Sequence, residues 1–561
     1  MRKRRRMAGR AWQTWTLAAA ICLAAATAAP AQRQPAVPQP NPSPAQGQET
    51  TRITPDQAQQ LFALVDDLLK FSSQETGLPI KSAVKRQLTT RAEVEGYLNR
   101  KFNEDEGAKR LQKSEIVLKK FGLLDRDFAL KPFVLALLKE QIEAYYDAKT
   151  KTVNLLDWIG IEEQKPVLAH ELTHALQDQH IDLEKWGDQT PDDVSVNASG
   201  DSEHLAKDEM DTAREAVVEG QATAVMIDYM LKPQGKSLVK DPEVMDFAKQ
   251  QMAASDSSPV LARAPLLLSE SLLFPYREGL SFEQDVWMDQ GQTAAFAGTL
   301  DRPPTSTWEI ENPREYERAR TPAVPLLPDI HPLVDKLYQP YDIGQVGELD
   351  LHILAELFGG DGAARDLTPA WNGGLYWAGQ RRSATPAEQA STKSLAIFYL
   401  SVWRNAASAE AFAQLYAESL GRKYSGLKAD LDAQSSAPAD LPPGSSQAIS
   451  EEEVYSTDEG PVVITTRGKL VFVAESFDLD LARKLTALIL DAQGTGELRM
   501  AGATQPAGSP TVRETALRLP GTGAPDSAPE PREPLTSGLI RFFSDCGFMK
   551  AAADAAVRAG R

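Results

Sequence analysis

The stretch VLAHELTHALQDQH, Val167 to His180, admits few conformations. It sets His170 and His174 four residues apart in a run of Val, Leu and Ala. On an α-helix, positions four apart differ by about 40° around the axis, so the two imidazoles project the same way. The apolar neighbours place this helix in a core, with Pro166 read into its first turn. Buried imidazoles that close together need a cation or hydrogen-bond partners. Glu171 lies beside them and completes the pattern H-E-x-x-H, in which two histidines share one ion and the glutamate can take a proton from a metal-bound water. The plainer alternative is a buried helix whose histidines bond to backbone.

A tetrahedral zinc site needs a third protein ligand and keeps its fourth position for water. His180 follows His174 by six residues, but Gln177 stands where a glycine would have to turn the chain, and on a continuing helix His180 points roughly 100° away from the pair. AREAVVEGQATAVMIDYM offers a better candidate. Glu219 sits there on an Ala- and Val-rich helix, where an unpaired carboxylate is costly. Gly220 and Ala222 let that helix approach another closely. Glu215, one turn earlier on the same face, is either a support for a ligand histidine or the ligand itself.

His170-Glu171-Leu172-Thr173-His174 with Glu219-Gly220-Gln221-Ala222 resembles the gluzincin metallopeptidases, whose third ligand is a glutamate on a following helix. A wider span, from EAYYDAKTKTVNLL through FPYREG to PPTSTWEI, roughly residues 85–320, is similar to a family of secreted bacterial proteins of unknown role with a zincin domain. The resemblance implies Zn2+ as cofactor, a peptidase-like fold and an edge strand beside the cleft. It implies no particular substrate.

On that basis the expected activity is hydrolysis of peptide or protein substrates, with His170, His174 and Glu219 as metal ligands and Glu171 as general base. The arm Thr152 to Leu156 is expected to bind substrate by strand addition. An oxyanion partner is also expected: Tyr276 in LLFPYREG is the first candidate, and His204 in SGDSEHLAKDE, read as a solvated loop, is the second. The rival from another class is a zincin-derived binding or scaffold protein with little activity. Glu171 speaks against it, because a purely structural zinc site has no use for that carboxylate.

Residues 1–31 read as a signal peptide, with a basic start (Arg2, Lys3, Arg4, Arg5, Arg6, Arg10), an apolar run from Trp15 to Ala29 and a small-x-small site at Ala29-Pro30-Ala31. Export to the periplasm or the medium follows, with no stable membrane span after cleavage. The chain carries −18, and loss of that basic segment makes it six charges more negative, which disfavours nucleic acid as a partner. Cys546 is the one cysteine left after cleavage. Internal disulfides are therefore excluded, and stability must rest on packing or metal.

The expected fold class is α+β. A Pro- and Gln-rich linker (32–52) precedes a mainly helical zincin-like domain with a small antiparallel edge sheet (53–340). Helices are expected after Thr54-Pro55, after Thr90, after Lys131-Pro132 and from Asp211 to Met230, with a hairpin at 145–156. A smaller α+β domain (341–497) is expected to hold two ββα units, from GGLYWAGQ, SLAIFYLSVW and PVVITTRGKLVFVAES with their following helices. A disordered linker (498–536) and a short C-terminal segment (537–561) close the chain.

Overall fold

A computed structural model describes residues 53–494, apart from 105, 143, 188, 190–194, 242–243, 246–258 and 436–449, and leaves the side chains of 100–112, 435 and 450 undescribed. The expected signal peptide, the 32–52 linker and both C-terminal segments lie outside these residues.

Helix α1 (Pro55–Thr76) starts where a capping box starts it: Thr54 Oγ1 accepts from Gln57 N and Gln57 Oε1 accepts from Thr54 N. It ends at Gly77, whose φ of 72° suits the left-handed cap. Its Leu61, Val65, Leu68 and Leu69 are buried at helical spacing. Thr90 and Glu93 make a second such box at the head of α2 (Arg91–Glu104). Helix α3 (Glu106–Phe121) was not expected. Helix α4 (Leu130–Gln141) lies where the Lys131-Pro132 signal put it.

The hairpin is present as β2 (Ala144–Asp147) and β3 (Thr152–Leu156). The sheet order corrects two expectations. β1 (Lys85–Thr89) pairs parallel with β3, so the sheet is mixed, with order β1-β3-β2. Thr152–Leu156 is thus the central strand, with both edges occupied, and cannot take a further strand. KRQLT, with its charged and half-exposed residues, carries no apolar run to announce a strand. The free edge nearest the histidine helix belongs to β2.

Helix α5 (Ile161–Ile181) carries the histidines. It begins a turn earlier than expected, so Pro166 lies inside it rather than in its first turn. Short α6 (Leu183–Gly187) and α7 (Ala198–Lys207) lead into α8 (Met210–Leu231), which closes through Pro233 and a left-handed Gly235. A long α9 (Leu266–Gln290) follows. Among the described residues no helix is long and apolar enough to cross a membrane.

The boundary expected near residue 340 falls inside a strand, β4 (Tyr338–Gln345). After α10 (Glu348–Leu367) come β5 (Trp371–Arg381), β6 (Leu395–Trp403), α11 (Ala406–Lys423), β7 (Lys428–Ala429), β8 (Ser450–Thr457), β9 (Gly460–Arg467), β10 (Leu470–Glu475) and α12 (Leu479–Ala492). The strands form one antiparallel sheet, ordered β4-β5-β6-β10-β9-β8-β7. The two ββα units are there, and each has a third strand. β4-β5-β6 leads to α11 and β8-β9-β10 leads to α12, with β6 and β10 adjacent at the centre.

β6 shows why its sequence is apolar without alternation. Leu395, Ile397, Tyr399 and Trp403 enter one core, and Ala396, Phe398, Leu400 and Val402 enter the other. α12 covers the second face. The first face, under α11, is continuous with the core of the N-terminal helices.

Buried charges also join the two regions. Lys120 of α3 donates to Glu459 Oε2 at 2.8 Å and Ser476 Oγ at 2.6 Å. Next to it, Lys423 donates to Glu475, which also accepts from the hydroxyls of Tyr416 and Tyr424. Both members of the Lys423–Glu475 pair are buried, so removing one strands the other. Lys423→Met should destabilise the fold by about 3–5 kcal/mol, read from the urea unfolding midpoint, whereas an exposed pair such as Lys70–Asp67 should move it by about 1 kcal/mol or less.

Candidate metal centre

α5 contributes His170 and His174, and α8, packed across it, contributes Glu219. His170 Nε2 lies 3.0 Å from Glu219 Oε2 and 2.9 Å from His174 Nε2, and His174 Nε2 lies 3.6 Å from Glu219 Oε2. Donors held at about 2.0–2.2 Å by a tetrahedral ion sit roughly 3.3–3.5 Å from one another, and the three separations bracket that value. Hydrogen bonds serve the arrangement poorly. A carboxylate oxygen only accepts, and each ring nitrogen either donates or accepts. Around a triangle of such atoms donor and acceptor cannot alternate at every contact, whereas one cation satisfies all three. These are also the one group of at least three His, Cys, Asp or Glu side chains among the described residues whose ligand atoms could hold a metal ion, all within 4.8 Å of one another.

The electrostatics follow from burial. His170 is fully buried, and burial pushes it down to about 4, so it is neutral. Its Nδ1 has no hydrogen-bond partner among the described residues. Burial alone would raise Glu219, but His174 and His170 outweigh it and hold the carboxyl well below the usual range. For His174, burial is opposed by Glu219 and Glu171, and the ring ends at about 9. Of the three side chains His174 is the most exposed, at 13% against 0% for His170 and 4% for Glu219.

Glu171 is 2% exposed. Its Oε2 accepts from Tyr146 N of β2 at 2.6 Å. Burial raises its carboxyl to about 7 despite the nearby His174. Tyr146 is itself latched to α5, since its hydroxyl donates to Asp178 Oδ2 at 2.7 Å and Lys151 Nζ donates to Asp178 Oδ1 at 2.8 Å. The hairpin is thereby held against Glu171.

The close crossing of α8 and α9 has a local cause. A Cβ on Gly220 would lie 2.3 Å from the Gly279 carbonyl carbon, and a Cβ on Gly279 would lie 2.1 Å from Ala216 O. Paired glycines thus let the two backbones touch, next to Glu219 on one helix and Tyr276 on the other. Tyr276 is buried, its ring 6.3 Å from that of His170. Burial, and then the charges of Glu219, Glu215 and Glu171, push its phenol well above the ordinary value, so it stays protonated.

The other sequence candidates fall elsewhere. His180 Nε2 lies 3.0 Å from Asp301 Oδ1, away from the cluster, as helical geometry required. Glu215 is half-buried and does not join the donor set. His204 is not in a solvated loop. It is fully buried on α7, 3.3 Å from Asp208 Oδ1. The polar stretch around it forms a helix capped by Asn197, whose buried face carries Asp201, His204 and Leu205.

Gln177, read from sequence only as a missing glycine, has a role there. His174 Nδ1 lies 2.8 Å from Gln177 Oε1. Its place one turn beyond His174 on the buried face was the available signal.

Gly279→Ala should therefore destabilise the protein by about 1–3 kcal/mol through overpacking, measured as a lowered thermal midpoint. The same substitution at Gly235, where nothing lies within 4 Å of the added atom, involves only backbone strain from its positive φ. No family model, no curated protein and no solved structure matches the chain.

Proposed function

We propose that this chain is an exported zinc-dependent peptidase of the gluzincin type. The observation that supports the reading is the convergence of His170 Nε2, His174 Nε2 and Glu219 Oε2 within 4.8 Å, with the Glu171 carboxyl on the neighbouring residue of the same helix. In this reading those three side chains hold the ion. Bound there, zinc supplies a Lewis acid and a water of lowered pKa.

The chain's own groups divide the remaining work. Glu171, raised to about 7 by burial, is suited to take up a proton and return it to a leaving amine near neutrality. Tyr146 N holds one oxygen of that carboxyl in place. Tyr276 keeps its proton and is suited to donate to developing negative charge. An extended peptide would add to the free edge of β2 rather than to β3.

The binding or scaffold reading draws support from the same burial: the donor atoms expose little surface, and Glu171 is already hydrogen-bonded. Glu171→Gln separates the two. It should retain zinc, by elemental analysis of the purified protein, and lower casein hydrolysis by about 10²-fold or more. Zinc bound by wild type and variant alike, with hydrolysis by neither, would leave the scaffold reading standing. For the ligand set, Glu219→Ala should lose zinc and His180→Ala should keep it. The opposite result would replace the third ligand.

A further inference from the structure

We propose that Gln221 is a positioning residue for the metal centre, acting through Gln177 to hold His174 in the tautomer that carries its proton on Nδ1. The inference starts from backbone carbonyls, which can only accept. Gln221 Nε2 lies 3.0 Å from Ala295 O, 3.0 Å from Phe296 O and 2.8 Å from Thr299 Oγ1. Thr299 gives its single hydroxyl proton to Ala295 O at 2.7 Å, so it too faces Gln221 as an acceptor. Glu283 is a further acceptor on the same side, hydrogen-bonded to Gln221 and with its Oε2 3.4 Å from Thr299 Oγ1. An amide turned the other way would set its oxygen against two carbonyls. The Gln221 amide therefore has one orientation, with Oε1 directed away from that turn.

That oxygen accepts from Gln177 Nε2 at 2.9 Å, and Gln177 Nε2 also donates to Val218 O at 3.0 Å. Two acceptors now fix the second amide in the same way, so Gln177 Oε1 faces His174 Nδ1 at 2.8 Å. An amide oxygen there demands an N–H, which leaves the Nε2 lone pair of a neutral His174 facing His170 and Glu219. Both glutamines are fully buried, so water does not compete for these bonds. The direction thus passes from carbonyls of the π-helical turn Ala294–Gly298, through two side chains that could each flip, to one ring nitrogen.

Gln221 is placed for this by its position two residues after Glu219 on α8: the same helix supplies the carboxylate ligand and orients a histidine ligand. The partner delivered to His174 is a neutral amide. It sets the tautomer without adding negative charge behind the ring, as a carboxylate in that position does.

The consequence for metal affinity rests on the zinc reading above, but the tautomer does not, so the test has two arms. In the full chain labelled with ¹⁵N-histidine, which has six histidines, the His174 ring is read by two-bond ¹H–¹⁵N correlation, with and without Zn2+, at a pH where the ring is neutral. Protonation at Nδ1 in wild type, lost or mixed in Gln221→Leu, is the expected result. Protonation at Nε2 in metal-free wild type would overturn the inference, whether or not the protein takes up zinc. In the second arm, zinc affinity is measured by chelator competition. Gln221→Leu and Gln177→Leu should each weaken it by about 10–100-fold, while Gln177→Glu, which keeps an acceptor on Nδ1, should stay closer to wild type than Gln177→Leu. Equal zinc affinity in wild type, Gln221→Leu and Gln177→Leu would also overturn it. Absence of zinc from wild type itself would instead overturn the peptidase reading, leaving the first arm to decide the relay.

Discussion

The contact between Gly220 and Gly279 sets the distances on which the candidate centre depends. α8 and α9 come so near that a single added carbon on either residue would strike the opposite backbone. Glu219 precedes one glycine, and Tyr276 sits one turn before the other. Mid-helix glycine costs about 1 kcal/mol against alanine, and here the close approach offsets that cost. A looser crossing would carry Tyr276 away from His170, and the α8 backbone that carries Glu219 and Gln221 would have room to shift.

Around that crossing the interior is unusually polar. Glu219, Glu171, His170, Gln177 and Gln221 are all buried within a few turns of α5 and α8. Burial of each is tolerable because nearly every one has a designated partner: Tyr146 N for Glu171, Val218 O and Gln221 for Gln177, carbonyls of 295 and 296 for Gln221. The exception is the triangle of His170, His174 and Glu219, whose contacts protons alone do not satisfy. Apart from His170 Nδ1, the side chains around the three converging ligand atoms are held by hydrogen bonds, which suits the surroundings of a cation site. The second buried charge cluster, Lys120, Lys423, Glu459 and Glu475 with two tyrosine hydroxyls, is complete without any ion. It joins α3 to the seven-stranded sheet and, by that difference, is structural.

Much of this was legible in the chain. The Thr54-Pro55 start, the helix after Thr90, the apolar run of β6 and the turn at Arg467-Gly468 each carry a local physical signal, and each appears in the fold. The four-residue spacing of His170 and His174 and the isolated carboxylate of Glu219 likewise required only helix geometry and the cost of burying charge. Elements whose signal is not local escaped. β1 is polar and becomes a strand only because β3 is there to pair with it. α7 looked like a loop because Asp201 and His204 are polar, yet both face inward and meet charged partners, Asp201 meeting His331 from far along the chain.

Residue order alone therefore determined the two imidazoles, the neighbouring carboxyl of Glu171 and the acid that could join them, because those depend on 3.6-residue periodicity and on the cost of an unpaired charge. It did not determine which strand lies open, which glycine pairs with which, or why glutamine stands at 177. Those follow from contacts between segments 41 to 75 residues apart or more, whose partners share no pattern that can be read along the chain.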